Sequence, residues 1–436
     1  MSQKPNYQSS FILLTVLFFL WGFITVLVDS LIPRLRELFT LTYFQAGLVQ
    51  FAFFGAYFLL SIPAGYLLSK IGYKRGIVFG LLTMAIGCLL FYPAASLRIF
   101  GVFMLAYFTL AAGMTILQVA ANPFVSVLGS EDGASSRLNL SQAFNSLGTA
   151  IAPAIGALFI LSDAIKTEAE IAALNNIDRE QYLLNEASAV QMPFIALAVF
   201  IAFIALVFVF AKLPSIINEK STGTYWQALS NKKLVLGVLG IFFYVGAEVA
   251  IGSYLVNYFL DLNLVDLIKN NSLMTSISEK LLNAELSSKD GKAIVGVFVT
   301  FYWSGAMIGR FIGSYLTKIF NPGKILGIFA SLAVTMIVIS INSVGLLSMW
   351  SILAVGLFNS IMFPTIFTLS LDGLGELKPK ASGLLCTAIV GGAVIPPLFG
   401  KLTDLFGFQM ALILVVACYC YIIYFGYLNL KKTQQT

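Results

Sequence analysis

Long apolar runs restrict the fold of this chain more than any other feature. Hydrophobic residues make up 59% and charged residues 11% of its 436 residues, which leaves too few charges to cover the surface of a soluble protein. A membrane-spanning helix needs about 20 apolar residues. Twelve runs of that kind, numbered here as spans 1 to 12, fall at 10–33, 43–69, 76–96, 100–128, 137–162, 188–211, 234–262, 292–317, 323–341, 344–371, 381–403 and 407–430. The sequence therefore predicts an all-α membrane protein with twelve transmembrane helices.

The basic residues predict on which side of the membrane each loop lies. The termini and the even-numbered loops, which share one side, carry Lys4, Lys70, Lys74, Arg75, Arg137, Lys212, Lys220, Lys232, Lys233, Lys318, Lys324, Lys378, Lys380, Lys431 and Lys432. The short loops opposite carry Arg34, Arg36, Arg98 and Lys401. Because cytoplasmic loops collect lysine and arginine, both termini are predicted to be cytoplasmic. The first apolar run is too long for a signal peptide, and no small-residue cleavage site follows it.

Motifs recur in the two halves of the chain, on either side of the polar segment 212–233. The matching pairs, in order, are GYLLSKIG (65–72) with GSYLTKIF (313–320), TILQVAANPFVSVL (115–128) with GLFNSIMFPTIFTL (356–369), and PAIG (153–156) with PLFG (397–400). Three ordered pairs predict two pseudo-symmetric six-helix halves around a central cavity. The predicted organisation is residues 1–211, a cytoplasmic linker at 212–233, and residues 234–436.

Apart from Asp261 at the very end of span 7, two carboxylates lie inside the predicted spans, where a charged side chain costs at least about 2.5 kcal/mol. Glu248 stands in YVGAEVAIGSYLVNY (244–258), sixteen residues past Lys232. At ~1.5 Å rise per residue, that distance places Glu248 deep in the bilayer. Asp29 lies near the end of span 1. Arg310 in span 8 could extend to the cytoplasmic surface, or it could pair with a carboxylate or a substrate.

Amide side chains concentrate on spans that a two-half arrangement places beside the cavity. They are Gln118 and Asn122 of span 4, Gln142 and Asn145 of span 5, Asn257 of span 7 and Asn359 of span 10. Each amide alone could equally hold two helices together. An amide also presents a donor and an acceptor at once, which suits a polyhydroxylated ligand. As a set, they indicate a sugar as substrate.

Several function classes are disfavoured by the sequence. It contains no histidine, and its four cysteines lie in apolar runs without metal-type spacing, so buried unpaired thiols are expected. Neither a nucleophile elbow nor a phosphate loop is present, so we expect no enzyme activity and no cofactor. The basic residues are spread over short loops, which argues against a nucleic-acid partner. A sugar sensor would need a soluble signalling domain, and an obligate protein partner is not indicated either.

Particular motifs extend this interpretation to a family. GYLLSKIGYKRG (65–76) resembles the signature after helix 2 of the major facilitators, although Ser69 stands where an acidic residue is usual. FFLWGFITVLVDSLIP, LQVAANPFVSVLG, RLNLSQAFNSLG and YVGAEVAIGSYLVNY resemble the fucose:proton symporter family of the facilitators, and especially its bacterial glucose/galactose members. The resemblance implies the major facilitator fold in a bacterial inner membrane. It also implies uptake of a monosaccharide by alternating access, driven by a cation gradient.

The resemblance also suggests roles for individual residues. Asp29 matches the family's acid in span 1, and Gln142 and Asn145 match its sugar-contacting amides in span 5. Fucose members carry glutamate at the position of Gln118 and glutamine at that of Glu248, so the acid has changed halves. The predicted cation-coupling residues are Asp29 and Glu248. The predicted substrate contacts are Gln118, Asn122, Gln142, Asn145, Glu248, Asn257 and Asn359.

The coupling ion and the sugar stay open at this point. Proton coupling needs a buried carboxylate that can gain and lose a proton, a role that either Asp29 or Glu248 could fill. Sodium coupling needs several oxygens around a carboxylate that stays ionised, near Asp29 or Glu248, and the glucose/galactose resemblance slightly favours sodium. Alternatives are a proton-coupled fucose or N-acetylhexosamine symporter, and a proton antiporter that exports hydrophobic compounds. The number of amides argues against the exporter.

Overall fold

Helices make up nearly all of the chain that a computed structural model describes, which is residues 7–39, 43–159, 173–214 and 223–430. No β-strand occurs within these ranges. In chain order the α-helices are α1 (Gln8–Phe39), α2 (Tyr43–Leu97), α3 (Phe100–Val127), α4 (Ala134–Phe159), α5 (Asn176–Phe210), α6 (Tyr225–Leu229), α7 (Lys232–Asp261), α8 (Leu264–Lys269), α9 (Ser272–Leu282), α10 (Gly291–Gly296), α11 (Val299–Ile319), α12 (Pro322–Ile341), α13 (Gly345–Asn359), α14 (Met362–Leu371), α15 (Lys378–Thr387), α16 (Gly391–Phe406) and α17 (Phe408–Leu428).

Ten stretches of the described residues are long and apolar enough to cross a membrane. One of them, Phe51–Leu97, has 47 residues. At ~1.5 Å per residue it is about 70 Å long, more than twice the hydrocarbon thickness. Gly72 interrupts it with φ 79° and ψ 168°, a backbone conformation that favours glycine, so this stretch contains predicted spans 2 and 3. Predicted span 5 corresponds to α4, which ends beside residues that the structure does not describe.

The exposed surface of the long helices is apolar, as a lipid-facing surface must be. Large hydrophobic side chains such as Phe58, Phe203 and Ile312 are exposed. In water such a surface would drive aggregation, whereas hydrocarbon solvates it. Cys420 lies on the exposed side of α17, while the other three cysteines are buried, so the expectation of four buried thiols is wrong for Cys420. Its neighbour Cys418, two residues away and so on the opposite side of the helix, points inward.

The chain forms two compact units, and each unit includes a segment from the other half of the sequence. The first unit comprises residues 1–130, 144–230 and 373–387, and the second comprises 131–143, 231–372 and 388–436. One boundary falls inside α4, and another falls at the 3-10 turn Ala388–Val390 that follows α15. The two-repeat organisation at 1–211 and 234–436 concerns internal symmetry and stays a prediction.

Within the second unit, the beginning of α4 is held by hydrogen bonds between small polar side chains. The Ser135 and Thr368 hydroxyls are 2.6 Å apart. Asn139 Nδ2 donates to Thr365 Oγ1 at 3.1 Å. Hydrogen bonds between the side chains of two membrane helices help to fix the position of one helix against the other. The beginning of α4 is therefore fixed against α14.

Within the first unit, α15 packs against α2 at a contact between two glycines. A β-carbon on Gly65 would meet the Pro379 carbonyl oxygen and Gly383 Cα, and one on Gly383 would meet the Ser61 carbonyl oxygen. The absence of side chains thus allows the two backbones to approach closely. α6 adds to this contact, because Tyr225 Oη donates to the Ile62 carbonyl.

The basic loop after predicted span 2 uses its lysines locally. Lys74 Nζ donates to the Val209 carbonyl at 2.8 Å, at the C-terminal end of α5. The Lys70 ammonium lies 5.5 Å from the centre of the Tyr66 ring. Ser69 donates to the Tyr66 carbonyl of its own helix at 2.7 Å. A cation at a helix C-terminus is favourable because the partial charge there is negative.

The first part of α5, before predicted span 6, is polar and contacts the C-terminal end of α2. Arg98 forms a two-pronged ion pair with Glu180, and Arg98 Nη1 donates to Glu180 Oε2 at 3.2 Å. The hydrogen bond from Arg98 holds the pKa of the Glu180 carboxyl below its usual range. Gln191 Nε2 also donates to Ser96 Oγ at 2.8 Å. These contacts connect α2 to α5 at one end of the first unit.

Three glycines at intervals of four residues let α11 approach α13 and α14. Gly305 faces Leu357, Gly309 faces Leu357 and Ser360, and Gly313 faces Ile361. This small-residue spacing is a recognised device for close packing of membrane helices. Because Arg310 follows Gly309 directly, the glycine contact also fixes where the Arg310 side chain begins.

We expect Gly309→Ala to destabilise the protein, because its β-carbon would overlap the Leu357 carbonyl oxygen and the Ser360 hydroxyl. The expected loss is about 1–3 kcal/mol, the range for overpacking. The control is Gly327→Ala in α12, where a β-carbon meets nothing within 4 Å. Thermal unfolding of the detergent-purified variants measures both. A melting temperature for Gly309→Ala equal to that of Gly327→Ala would contradict the close contact.

Candidate functional site

A cluster of polar side chains lies inside the second unit and surrounds Glu248. It consists of Tyr244 and Glu248 of α7, Tyr302 and Arg310 of α11, Asn359 of α13 and Tyr419 of α17. The three tyrosines and Asn359 are at most 1% exposed. We call these six residues the Glu248 cluster.

Helical spacing brings these side chains to one place. Tyr244 and Glu248 are four residues apart, so they lie on the same face of α7. Gly246 and Gly391 let α7 approach α16, and Gly356 contacts the Tyr302 backbone.

Three polar atoms of the cluster are buried and form no well-aligned hydrogen bond among the described residues: Tyr244 Oη, Glu248 Oε1 and Asn359 Oδ1, although the Tyr244 hydroxyl and the Glu248 carboxyl lie near each other. The Asn359 amide nitrogen is fully used, donating to Tyr302 Oη at 2.6 Å and to Tyr419 Oη at 3.2 Å. Buried polar atoms without a partner are rare in native proteins and need an explanation. Two acceptors and one hydroxyl together could hold a hydroxylated ligand or a cation.

Arg310 is the one described charged group that acts electrostatically on the Glu248 carboxyl. The two side chains nevertheless form no ion pair within 4.0 Å in this structure. Instead, Arg310 Nε donates to the Ser360 carbonyl at 3.2 Å, and Nη1 lies 3.5 Å from the Gln142 carbonyl oxygen. The prediction left open whether Arg310 extends to the surface or pairs with a group in the protein. The main-chain oxygens of Ser360 and Gln142 are among its partners.

A proline makes the Ser360 carbonyl available. In a continuous helix, the N–H of residue 364 would bond to the carbonyl of residue 360, but residue 364 is proline and has no N–H. The helix is interrupted at this point, with α13 ending at Asn359 and α14 beginning at Met362. Predicted span 10 is thus two helices, with Pro364 in the first turn of the second.

The matching proline in the first half also frees a carbonyl. Pro123 leaves the carbonyl of Val119 without its helical partner, and Ser382 Oγ of α15 donates to that oxygen at 2.8 Å. Here α3 stays continuous through the proline. Both freed carbonyls accept a hydrogen bond from a side chain of another helix.

The amides of the first unit serve as helix contacts in this structure. Gln118 Oε1 accepts a hydrogen bond from Tyr57 Oη at 2.8 Å. Asn145 Nδ2 donates to the Phe18 carbonyl at 2.9 Å, where Gly22 of α1 lies against α4. Asn122 is fully buried. These bonds use one end of the Gln118 and Asn145 amides, so each retains its other end for a ligand.

The predicted site residues do not all come together. Glu248 and Asn359 share the Glu248 cluster, and Gln142 contributes its carbonyl beside Arg310. Asn257 is exposed near the end of α7, outside the cluster. Asp29 lies on α1, but its side chain falls outside the described part of the structure.

The sequence analysis missed two members of the cluster. Tyr302 and Tyr419 are two of 18 tyrosines, and span 12 was not expected at a cavity. Nothing in the local sequence marks either residue, because a tyrosine in a membrane helix is usually packing or an interface anchor. Among the described residues, no group of three or more histidine, cysteine, aspartate or glutamate side chains could hold a metal ion.

Comparison with known proteins gives similarity over nearly the whole chain. Residues 10–385 match the sequence model of the Major Facilitator Superfamily. The Glucose/galactose transporter of Brucella abortus biovar 1 (strain 9-941) is 46% identical over 437 residues, which cover 99% of this chain and 96% of that protein. The L-fucose-proton symporter of Escherichia coli (strain K12) is 34% identical over 416 residues, or 93% and 89% of the two chains. The crystal structure of the transporter FucP in the outward conformation has a TM-score of 0.86 at 32% identity and covers 98% of this chain and 99% of that one.

We expect Asn359→Ala to destabilise the second unit, because two buried tyrosine hydroxyls lose their partner. Each orphaned group costs about 1–3 kcal/mol. The control is Asn342→Ala, because Asn342 is exposed and bonds to its own helix at Val338. Thermal unfolding in detergent compares the two variants. Equal melting temperatures would show that the tyrosines do not depend on the Asn359 amide.

Proposed function

This chain belongs to the major facilitator superfamily, and we propose that it imports a glucose- or galactose-type hexose together with a cation, by alternating access. The names of its relatives, a glucose/galactose transporter and an L-fucose-proton symporter, support sugar symport. The matched proteins are transporters, so we infer transport without enzymatic catalysis. The observation that carries the proposal is the set of three unpartnered buried atoms at Tyr244, Glu248 and Asn359.

We infer that Glu248 and Asp29 couple the cation to the sugar. A carboxylate deep in a membrane protein needs a positive partner, and a bound proton or sodium ion supplies one. The proton-coupled relative supports a proton, whereas hydroxyl and carbonyl oxygens around Glu248 would also suit sodium. The ion could leave the site as the two halves change their exposure.

The sugar contacts follow from the same chemistry. The amides of Gln118, Asn122, Gln142 and Asn145 would bind sugar hydroxyls through whichever end their helix contacts leave available. Glu248 and Asn359 would accept hydroxyl protons through their unpartnered oxygens. Asn257, being exposed near the end of α7, fits a contact along the access path better than one in the cluster.

The membrane arrangement completes the proposal. Twelve helices in two halves, 1–211 and 234–436, with a linker at 212–233 and both termini in the cytoplasm, would place the chain in a bacterial inner membrane. The basic loops support this orientation. Export of hydrophobic compounds by proton antiport receives no support from the two full-length relatives described above, which are named for sugars.

Uptake of labelled sugars into proteoliposomes tests the function directly. We expect accumulation of glucose or galactose when a sodium gradient or a proton gradient is imposed, each applied separately. Fucose and N-acetylglucosamine are the comparison substrates, and protein-free liposomes are the control. Efflux of a preloaded hydrophobic dye without any hexose uptake would contradict the proposal.

Glu248→Gln tests the coupling role. The variant keeps a hydrogen-bonding group of the same size but cannot carry a charge, so we expect gradient-driven accumulation to fall by about tenfold or more, the effect of 1.4 kcal/mol. Adding Gln118→Glu returns a carboxylate at the position where fucose-type relatives carry one, and part of the coupling should return. Wild-type accumulation by Glu248→Gln would reduce Glu248 to a helix contact.

A further inference from the structure

An exposed tryptophan, Trp303, stands on a side of α11 that is directed away from lipid. Exposed apolar side chains of α11, among them Ile308 and Ile312, mark the lipid-facing side of this helix. At about 100° per residue, Ile308 and Ile312 lie about 140° and 180° around the helix from Trp303. Trp303 is nevertheless 49% exposed. Its open surface therefore does not belong to the lipid-facing side.

The neighbouring helix α7 carries a stripe of exposed polar side chains. Ser253 and Asn257 are exposed, and their spacing of four residues places them on one face of the helix. Asp261, four residues further on and the last residue of α7, is exposed as well. Neither the Ser253 hydroxyl nor the Asn257 amide forms a hydrogen bond with any described residue. Because hydrocarbon offers no partner to such groups, this face of α7 must meet water or a polar ligand.

Trp303 and the polar stripe meet at Gly252. A β-carbon on Gly252 would lie 3.0 Å from Cζ2 and 3.5 Å from Cη2 of the Trp303 ring. The absence of a side chain at this position lets the indole lie directly against the α7 backbone. Ser253 follows Gly252 in the chain, so the indole borders the polar stripe. All of these residues belong to the second unit.

The Trp303 side chain has two properties that suit a sugar. Among the aromatic rings of the described residues it pairs with Tyr302 alone, edge to face, with centroids 5.1 Å apart, and about half of its surface stays open. Its indole N–H, which can only donate, makes no hydrogen bond within the described ranges. Small-molecule sites combine an apolar or aromatic surface with a few polar groups that fix orientation. A hexose ring has apolar C–H faces and a rim of hydroxyls, and it matches both parts.

We propose that Trp303, Ser253 and Asn257 form an outer hexose subsite. The sugar ring rests on the indole, and its hydroxyls bond to the indole N–H, the Ser253 hydroxyl and the Asn257 amide. This inference rests on the proposed sugar symport and adds a second binding position to it. We call these three residues the outer subsite.

The outer subsite is separate from the Glu248 cluster. Ser253 and Asn257 follow Glu248 by five and nine residues, which is about 7.5 and 13.5 Å along the axis of α7. Because α7 begins at Lys232, on the predicted cytoplasmic side, this displacement is toward the outer side of the membrane. An incoming hexose would therefore meet the outer subsite before it reaches Glu248.

The composition of the outer subsite gives it a role distinct from coupling. None of its three side chains carries a charge, so binding of a hexose there requires no coupling cation. Glu248, by contrast, is the residue proposed to couple the cation. The outer subsite would thus select a hydroxylated ring, and the Glu248 cluster would couple its passage to the ion.

The fluorescence of Trp303 provides a direct test in detergent-purified full-length protein. Trp303 becomes the sole tryptophan when Trp21, Trp226 and Trp350 are replaced by phenylalanine. We expect galactose or glucose to change its emission in a saturable manner. Adding Glu248→Gln should alter the half-saturating sugar concentration by less than about twofold, because the outer subsite does not include Glu248. Emission that does not respond to either sugar, or a response that Glu248→Gln abolishes, would overturn the proposal.

A second sole-tryptophan protein is the matched control. Trp226 of α6 is 81% exposed, and it lies outside the membrane-spanning helices. In a protein that retains Trp226 alone, we expect neither sugar to change the emission. An equal response of Trp226 would show that the sugar acts on exposed tryptophans in general and would overturn the assignment to Trp303.

The polar members of the outer subsite are tested through the same Trp303 signal. We expect Ser253→Ala and Asn257→Ala each to raise the half-saturating sugar concentration by about threefold to tenfold, because each removes one hydrogen bond to the sugar. The control is Asn342→Ala, since Asn342 is exposed on α12 and bonds to its own helix. Shifts equal to that of Asn342→Ala would contradict the contacts from α7.

Gly252→Ala tests the contact that positions the indole, without changing a polar group. Its β-carbon would press on the Trp303 ring, whereas a β-carbon on nearby Gly296 would have Val256 as its nearest neighbour, at 3.9 Å. We expect Gly252→Ala to raise the half-saturating sugar concentration by about threefold or more and Gly296→Ala by less than about twofold. Equal shifts in the two variants would overturn the positioning role of Gly252.

Uptake by the wild-type protein distinguishes failure of this inference from failure of the proposed function. If the wild type accumulates a hexose but the Trp303 emission does not respond to it, the outer subsite is wrong and symport stands. If the wild type accumulates no hexose under either gradient but Trp303 responds to the sugar, symport fails and the outer subsite stands.

Discussion

The structure depends above all on one constraint: in hydrocarbon, each backbone N–H and C=O must find its partner inside the protein. This constraint makes the chain helical almost throughout the described residues. It also gives prolines a particular importance, since each removes one helical bond. At Ser360 and Val119 the freed carbonyl is bonded by a side chain from another helix, Arg310 and Ser382 respectively. At these two positions, the carbonyls that proline frees thus connect distant parts of the chain.

Close helix packing is the second requirement, and it determines which polar groups can meet. Glycines on α7 and α11 let neighbouring backbones approach, so that side chains from four helices converge on Glu248. Most of these groups bond to each other, as Asn359 does with Tyr302 and Tyr419. Three buried polar atoms of this cluster have no hydrogen-bond partner among the described residues, and others lie elsewhere in both units. Such atoms need an explanation, and in the cluster a ligand or an ion could supply it.

Charge balance connects this arrangement to symport. Both the loaded site and the empty site must be stable in a low dielectric. The carrier has to change its exposure from one side of the membrane to the other in both of these states. A carboxylate with a bound cation meets the first condition. The second condition requires a proton or a counter-charge for the Glu248 carboxylate once the cation has left.

The sequence alone determined the class of the molecule, because the length and apolar character of its runs leave no alternative to membrane helices. The ordered repeats and motifs indicated a sugar-transporting facilitator, which the comparisons support. It also identified Glu248, Asn359 and Arg310 as unusual, since polar groups are costly in a bilayer. Only the tertiary structure decided that Tyr302 and Tyr419 join Glu248, that Asn257 does not, and that Arg310 binds a main-chain oxygen. The physical reason is that burial energy depends on composition along the chain, whereas a hydrogen bond depends on a few ångströms of position between helices distant in sequence.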